Sequence, residues 1–192
     1  MSLQEFGNDL PPVFLDWSPY RDLDSAARAY LRDPDLALDA LGGVLAGSTV
    51  LGFTLERFVN DVNGVWQEVA VCDGRRLILW HGEDVPSGDG PAGSMTSSLR
   101  VLPLSVVTEV GTRRRLRRHA NGAVTVDAVD VYVLLSSLDD ATMPPPATDG
   151  SGPSVRQDAL RFVKTVDDGG SGQIGRLEEF ARLVASLVGR PF

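Results

Sequence analysis

The spacing of hydrophobic positions along the chain changes near residue 49. Before that point, apolar residues recur at the helical period and predict two short helices. The first opens at Asp24-Ser25-Ala26 and runs through Leu31. The second has Asp33 as its N-cap and Pro34 at the first helical position, and it ends near Ala46, before Gly47.

After residue 49 the pattern becomes typical of β-strands, with segments rich in Val, Leu, Thr and aromatic residues. Turn signals separate these segments. Asp73-Gly74 and Asn121-Gly122 belong to the strongest short hairpin signals. Seven strands are predicted, at about residues 49–61, 65–73, 75–84, 97–103, 104–117, 123–137 and 154–167.

Two loops and one long helix complete the pattern. The Gly-, Pro- and Ser-rich segments Pro86–Thr96 and Leu138–Pro153 predict surface loops. The segment Gln173–Val188 carries a single apolar stripe at the helical period and predicts an amphipathic C-terminal helix. The glycine-rich piece Asp167–Gln173 lies just before this helix, and a helix N-terminus can bind phosphate. Two aspartates in the piece would repel such an anion, so we interpret it as a flexible connector.

This order of elements predicts an α+β, β-rich fold. About seven antiparallel strands followed by one amphipathic helix are the pattern of a pleckstrin-homology-like (PH-like) barrel, in which the helix fills one open end. We expect residues 1–48 to form an N-terminal irregular segment and helices packed on the body, and residues 49–192 to form the barrel with its C-terminal helix. A fold of this kind warrants no function by itself.

The run VAVCDGRRLILWHGEDV also resembles an uncharacterised family of short actinobacterial proteins. The matching pieces are Arg76-Leu77, His81 and Glu83-Asp84, and Leu102–Thr108 is similar to the next strand pair of that family. The resemblance spans roughly residues 35–185. It implies a fold and an origin, and it implies no mechanism.

Composition narrows the possible functions. The net charge of −8 opposes general nucleic-acid binding, which requires a basic surface. The single cysteine, Cys72, excludes an internal disulfide, and its place within a strand indicates a small buried hydrophobe. No apolar run is long enough for a transmembrane segment, and no secretory signal is evident, so we expect a cytoplasmic protein. No cofactor motif is present, and we predict no cofactor.

His81, Glu83 and Asp84 form the first candidate site, because here a histidine stands beside carboxylates. Imidazole and carboxylate groups suit several divalent metals. Strand alternation places His81 and Glu83 on one face. The alternative interpretation is a strand end whose polar side chains face solvent.

The densest run of charge, Arg113–Arg118, is the second candidate site. On a strand, Arg113, Arg115 and Arg117 share one face, whereas Arg114 and Arg118 lie on the other. Guanidinium groups could bind a phosphate of a nucleotide, a lipid headgroup or another phosphorylated ligand. Equally, they could be balanced by acidic residues of the same chain, or protect an edge strand from aggregation.

The leading functional prediction is a non-enzymatic domain that binds a protein partner or forms a homo-oligomer, such as a homodimer. A module that binds phosphate, a nucleotide or a lipid headgroup through Arg113, Arg115, Arg117 and Arg118 is the first alternative. A metal-dependent enzyme centred on His81 is the second. Trp66 and Trp80 are interpreted as packing or interface residues on neighbouring strands.

Overall fold

A computed structural model describes residues 16–86, 88–136 and 158–189. It confirms the prediction of an α+β, β-rich fold with seven strands, four before Pro103 and three after it. Strands β1 to β4 form antiparallel sheet A in chain order, and β5 to β7 form antiparallel sheet B. The elements are α1 (Leu23–Tyr30), α2 (Pro34–Leu45), β1 (Gly52–Val59), β2 (Val65–Cys72), β3 (Arg76–Asp84), β4 (Met95–Pro103), a 3₁₀ turn (Leu104–Val106), β5 (Val107–Arg118), β6 (Val124–Leu135), β7 (Asp158–Thr165) and α3 (Gly170–Leu187).

No ladder of backbone hydrogen bonds joins the two sheets within the part of the chain that the structure describes. The predicted loop Leu138–Pro153 and residues 1–15 of the predicted irregular segment lie outside the described residues. Over the described ranges, none of the helices combines the length and the apolar character needed to cross a lipid bilayer.

Helix α2 begins at Pro34 as predicted, whereas α1 begins at Leu23, slightly before its predicted start, and the capping interactions of both helices differ from the prediction. Helix α1 is capped by Asp22, whose carboxylate accepts the Ser25 N–H at 2.8 Å. Asp33 does precede α2, but its side chain does not cap the helix. It accepts a hydrogen bond from Gln67 Nε2 at 2.8 Å and so ties α2 to β2.

Helix α3 begins three residues earlier than predicted, because the glycine-rich piece is ordered as its first turn. Gly169 has a φ of 74° and stands at the N-cap. A Cβ at Gly172 would lie 2.2 Å from Ser18 Oγ, so any other residue here would displace the Ser18 side chain of the N-terminal segment. The prediction of a flexible connector over Asp167–Gln173 is therefore wrong for its second half.

Sheet A separates two hydrophobic cores, because its strands carry apolar side chains on both faces. The outer face packs against α1, α2 and Trp17, and the largest side chain that it buries is Trp80. The inner face packs against sheet B and α3. This inner core consists largely of Ala70, Cys72, Leu77, Leu79, Val129, Val131, Val133, Phe162, Leu177, Phe180 and Val184.

The inner face of sheet A changes character along its strands. Strand register aligns its side chains in four cross-strand rows. The first two rows are apolar where they cross β2 and β3, and the residues at these crossings belong to the inner core. The third and fourth rows lie outside it and carry polar, titratable and aromatic side chains. In order across β1 to β4, the rows are Gly52-Cys72-Leu77-Leu102, Thr54-Ala70-Leu79-Arg100, Glu56-Glu68-His81-Ser98 and Phe58-Trp66-Glu83-Thr96.

The only lysine of the sequence, Lys164, is fully buried and joins three elements. Its Nζ donates to Tyr30 Oη at the end of α1 and to Asp168 Oδ2 in the β7–α3 turn, each at 3.0 Å. Tyr30 Oη in turn donates to Asp168 Oδ1 at 3.2 Å. This closed triangle satisfies a buried ammonium group, which would otherwise be strongly destabilising.

We predict that removing the carboxylate of this triangle destabilises the fold more than removing the lysine. Asp168→Ala leaves Lys164 buried with its main counter-charge absent, at a cost of about 3–5 kcal/mol. Lys164→Met retains the packing volume and leaves a partly exposed Asp168, so a loss of about 1–2 kcal/mol is expected. Urea unfolding followed by circular dichroism measures both, and a larger loss for Lys164→Met would contradict this assignment.

Candidate functional site

Two glutamates and the histidine singled out in the sequence meet on the inner face of sheet A. Glu56 of β1 is the register partner of Glu68 on β2, and Glu68 is the partner of His81 on β3. We call these three residues the carboxylate row. Because antiparallel partners point to the same face, their side chains lie side by side across the sheet.

Both carboxyl groups of the row titrate in an environment that opposes their charge. Burial raises the pKa of Glu56 to about 7, although Lys164 and the Val163 N–H act in the opposite direction. Burial likewise raises the pKa of Glu68 to about 7, against the lowering effect of Arg100. The two glutamates therefore change charge near neutral pH.

Glu56 also connects the two sheets. Its Oε1 accepts a hydrogen bond from the backbone N–H of Val163 on β7. Strands β1 and β7 are edge strands of their respective sheets. One side chain thus bridges the two edges where they approach each other, next to the buried Lys164.

An open cleft of about 420 Å³ adjoins the carboxylate row at the end of sheet A. We call it the aromatic cleft. Phe58 and Trp66 are register partners within it, and Phe58 is 61% exposed. The Trp66 ring contacts His81 edge-on, with 5.3 Å between ring centroids. The cleft is lined by Phe58, Asn60, Gly64, Val65, Trp66, Glu83 and Asp84.

The β1–β2 turn gives this cleft a fixed wall. Asn60 Oδ1 accepts hydrogen bonds from the N–H groups of Val62 and Gly64, at 3.0 and 2.7 Å. Asn63 adopts the left-handed conformation with a φ of 61°, which asparagine tolerates well. Val62 at the tip of the turn is 83% exposed.

The three residues of the predicted metal site do not converge. His81 Nε2 lies 3.5 Å from Glu83 Oε2, but Asp84 belongs to the opposite face of the strand. Arg32 binds both oxygens of Asp84 and lowers its pKa to about 2. No group of three or more potential ligands that could hold a metal ion occurs among the residues that the structure describes.

The arginine run lies on β5, and three of its members have acidic partners. Arg115 Nε and Arg117 Nη2 lie 3.4 and 2.9 Å from the same Asp127 oxygen. Arg114 pairs with Glu178 of α3. Arg113 assists Arg161 in lowering the pKa of Asp130. Binding of a phosphate by Arg113, Arg115, Arg117 and Arg118 stays a prediction, and it would compete with Asp127.

Sequence reasoning selected His81 but did not identify its cross-strand neighbours. Glu56, Glu68 and Phe58 lack local motifs, since their proximity depends on strand register. The signal was nevertheless present: the turn at Asp73-Gly74 pairs Cys72 with Leu77, and counting back from it pairs Glu68 with His81.

Comparison of the chain with protein-family models, with curated proteins and with solved structures finds no match. The site is therefore interpreted from its own geometry.

We predict that the carboxylate row makes the fold less stable as the pH rises. The folded pKa values of Glu56 and Glu68 lie above their unfolded value of 4.5, so the folded protein retains protons that the unfolded chain has lost. The free energy of unfolding then falls between about pH 4.5 and about pH 7, by on the order of 1–3 kcal/mol for each group. Urea unfolding across this range measures the slope.

A matched pair of variants tests whether Glu68 causes this pH dependence of the free energy of unfolding. Glu68→Gln should flatten it and should be more stable relative to wild type at high pH than at low pH. Glu179→Gln removes an exposed carboxylate of α3 and serves as the control. Parallel profiles for wild type and Glu68→Gln would contradict the assignment.

Proposed function

We propose that the protein is a non-enzymatic protein-binding domain whose aromatic cleft accepts a basic side chain of a partner. The observation that carries this proposal is the Phe58–Trp66 pair beside carboxylates, in which Phe58 is exposed and Trp66 is half-buried. Tyr, Trp and Phe are enriched at the cores of protein interfaces, where their rings supply most of the buried apolar contact.

The charge around the cleft selects the type of ligand. The side chain of Glu83 is 55% exposed at the wall of the cleft, and Glu68 lies in the next row. A Lys or Arg side chain could place its charge near these carboxylates and over the face of Trp66, an arrangement that contributes about 0.5–1 kcal/mol at exposed sites. An acidic side chain would be repelled.

We also propose that the architecture is PH-like. The division into four and three strands and the terminal helix support it. Helix α3 packs against Gly52 of β1 and against Phe162 of β7. The Glu56–Val163 hydrogen bond supplies contact between two edges that a PH-like barrel would bring together. Short proton–proton distances between β1 and β7 in solution would test this arrangement.

The two alternative functions have weaker geometric support. A phosphate-binding module has to use arginines that already face Asp127 and Glu178. A metal-dependent enzyme centred on His81 would need ligands beyond Glu83, since Asp84 is bound by Arg32.

We predict that a tri-arginine peptide changes the fluorescence of Trp66. Trp17 and Trp80 are fully buried, so Trp66 is the tryptophan that a ligand in solution contacts. Titration with acetyl-tri-arginine amide should give saturable quenching with a Kd on the order of 0.1–1 mM. Acetyl-tri-glutamate amide at the same ionic strength should give none. Equal responses to the two peptides would contradict the proposal.

Two variants locate the binding site and retain the tryptophan reporter. Glu83→Gln removes a carboxylate of the cleft and should weaken tri-arginine binding by about threefold or more, as expected for the loss of a partly exposed ion pair. Glu179→Gln removes an exposed carboxylate outside the cleft and should leave binding unchanged. The same loss in both variants would show non-specific attraction to an acidic protein.

A further inference from the structure

Three of the four sheet edges carry a device that opposes pairing with another strand. Gly52 of edge strand β1 packs against Leu183 of α3. On β7, the N–H of Val163 is bonded to Glu56. Strand β5 carries the arginine run and two register shifts. Charges, bulges and covering elements are the usual means by which proteins protect exposed edges.

In the described part of the chain, the edge formed by β4 has no bulge and no covering element, and it carries a single charge. Met95–Pro103 is hydrogen-bonded to β3 on one side, with an unbroken register over its nine residues. Most of its side chains are exposed, including Val101 at 42%. Arg100 is the one charged residue in the strand.

The register identifies which backbone groups of β4 face away from β3. Ladder hydrogen bonds run from Val85 N–H to the Ser94 carbonyl and from Leu104 N–H to the Arg75 carbonyl. Both pairs continue the β3–β4 register, so alternation assigns the even-numbered residues of β4 to bonds with β3. The outward backbone groups are therefore those of Met95, Ser97, Leu99 and Val101.

We propose that a second copy of this chain pairs with β4, antiparallel and about a two-fold axis at Ser98, to give a continuous eight-stranded sheet. This register uses every outward group. Met95 pairs with Val101 of the second copy, and Ser97 pairs with Leu99 of the second copy. An isologous interface of this kind closes on itself and forms a dimer.

Charge complementarity favours a second copy as the occupant. Arg100 lies opposite Thr96 of the second copy, so no like charges face each other. The next residue across the sheet is Glu83 of the second copy, because Thr96 is the register partner of Glu83. Arg100 of one copy and Glu83 of the other thus lie two strands apart on one face, with Thr96 between them, while Met95 contacts Val101 on the other face.

The test uses a proline substitution that acts on the outward side of the strand. Val101→Pro removes an N–H that does not bond to β3, and edge strands tolerate proline in that position. Sedimentation equilibrium from about 1 to about 100 µM should show wild type and the control Val101→Thr as dimers of the 20.6 kDa chain, and Val101→Pro should raise Kd by about tenfold or more. A monomeric wild type, or a folded Val101→Pro that dimerises as well as wild type, would overturn the proposal.

A second measurement needs no variant. Hydrogen exchange of the Leu99 and Val101 amides should slow as protein concentration rises, whereas exchange of the Arg100 amide should stay slow at all concentrations. Concentration-independent exchange at Leu99 and Val101 would also overturn the proposal. Its failure is separate from failure of the cleft proposal, since Trp66 quenching by tri-arginine does not require β4.

Discussion

Sheet A carries apolar side chains on both faces, and the rest of the structure follows from the need to cover them. Helices α1 and α2 and Trp17 cover the outer face. Sheet B and α3 cover the inner face over the two rows that contain Cys72 and Ala70. A bare β-sheet with two hydrophobic faces would aggregate, so the helices before the first strand belong to the same folding problem as the strands.

Sheet B and α3 cover the inner face of sheet A only as far as Glu56, which lies near the buried Lys164. The buried triangle of Lys164, Tyr30 and Asp168 fixes the end of α1 against β7 and the β7–α3 turn. Glu56 then bridges the edges of β1 and β7. Past this point the inner face is no longer core, and its side chains become polar and aromatic. The candidate site is thus the uncovered end of a surface whose other end forms the core.

Much of this fold could be predicted from sequence because its signals are local. The Asp73-Gly74 turn and the period-2 pattern predict the strands, and the Asp33-Pro34 pair predicts the start of α2. Side-chain roles that depend on tertiary contacts could not be predicted in the same way. Asp33 is a favourable N-cap residue, but a hydrogen bond to Gln67 uses its carboxylate instead. The first turn of α3 was assigned to a flexible connector, yet the glycine-rich piece forms that turn, with Gly172 packed against Ser18.

Only part of the candidate site could be predicted from the sequence, for the same reason. His81 and Glu83 are two residues apart, so alternation alone places them together. Strand register places Glu68 and Trp66 next to His81 and Glu83. Asp84 instead forms a bidentate ion pair with Arg32, a residue of the α1–α2 connection. Local sequence proximity therefore grouped His81, Glu83 and Asp84, whereas the fold places Glu68 and Trp66 beside His81 and Asp84 on the opposite face of the strand.

The most direct test of this account measures thiol reactivity at two positions on the inner face of sheet A. A thiol should be protected at Cys72, which is buried, and reactive at position 58, which is exposed. Cys72 is the single cysteine of the chain, so wild type provides the reference and Phe58→Cys adds one thiol in the fourth row. Under native conditions, a disulfide reagent such as dithionitrobenzoate should leave wild type unmodified. It should modify one thiol of Phe58→Cys rapidly, and the second thiol only after unfolding. Rapid reaction of Cys72 in the native protein, or a protected thiol at position 58, would contradict the division of this face into a covered and an open half.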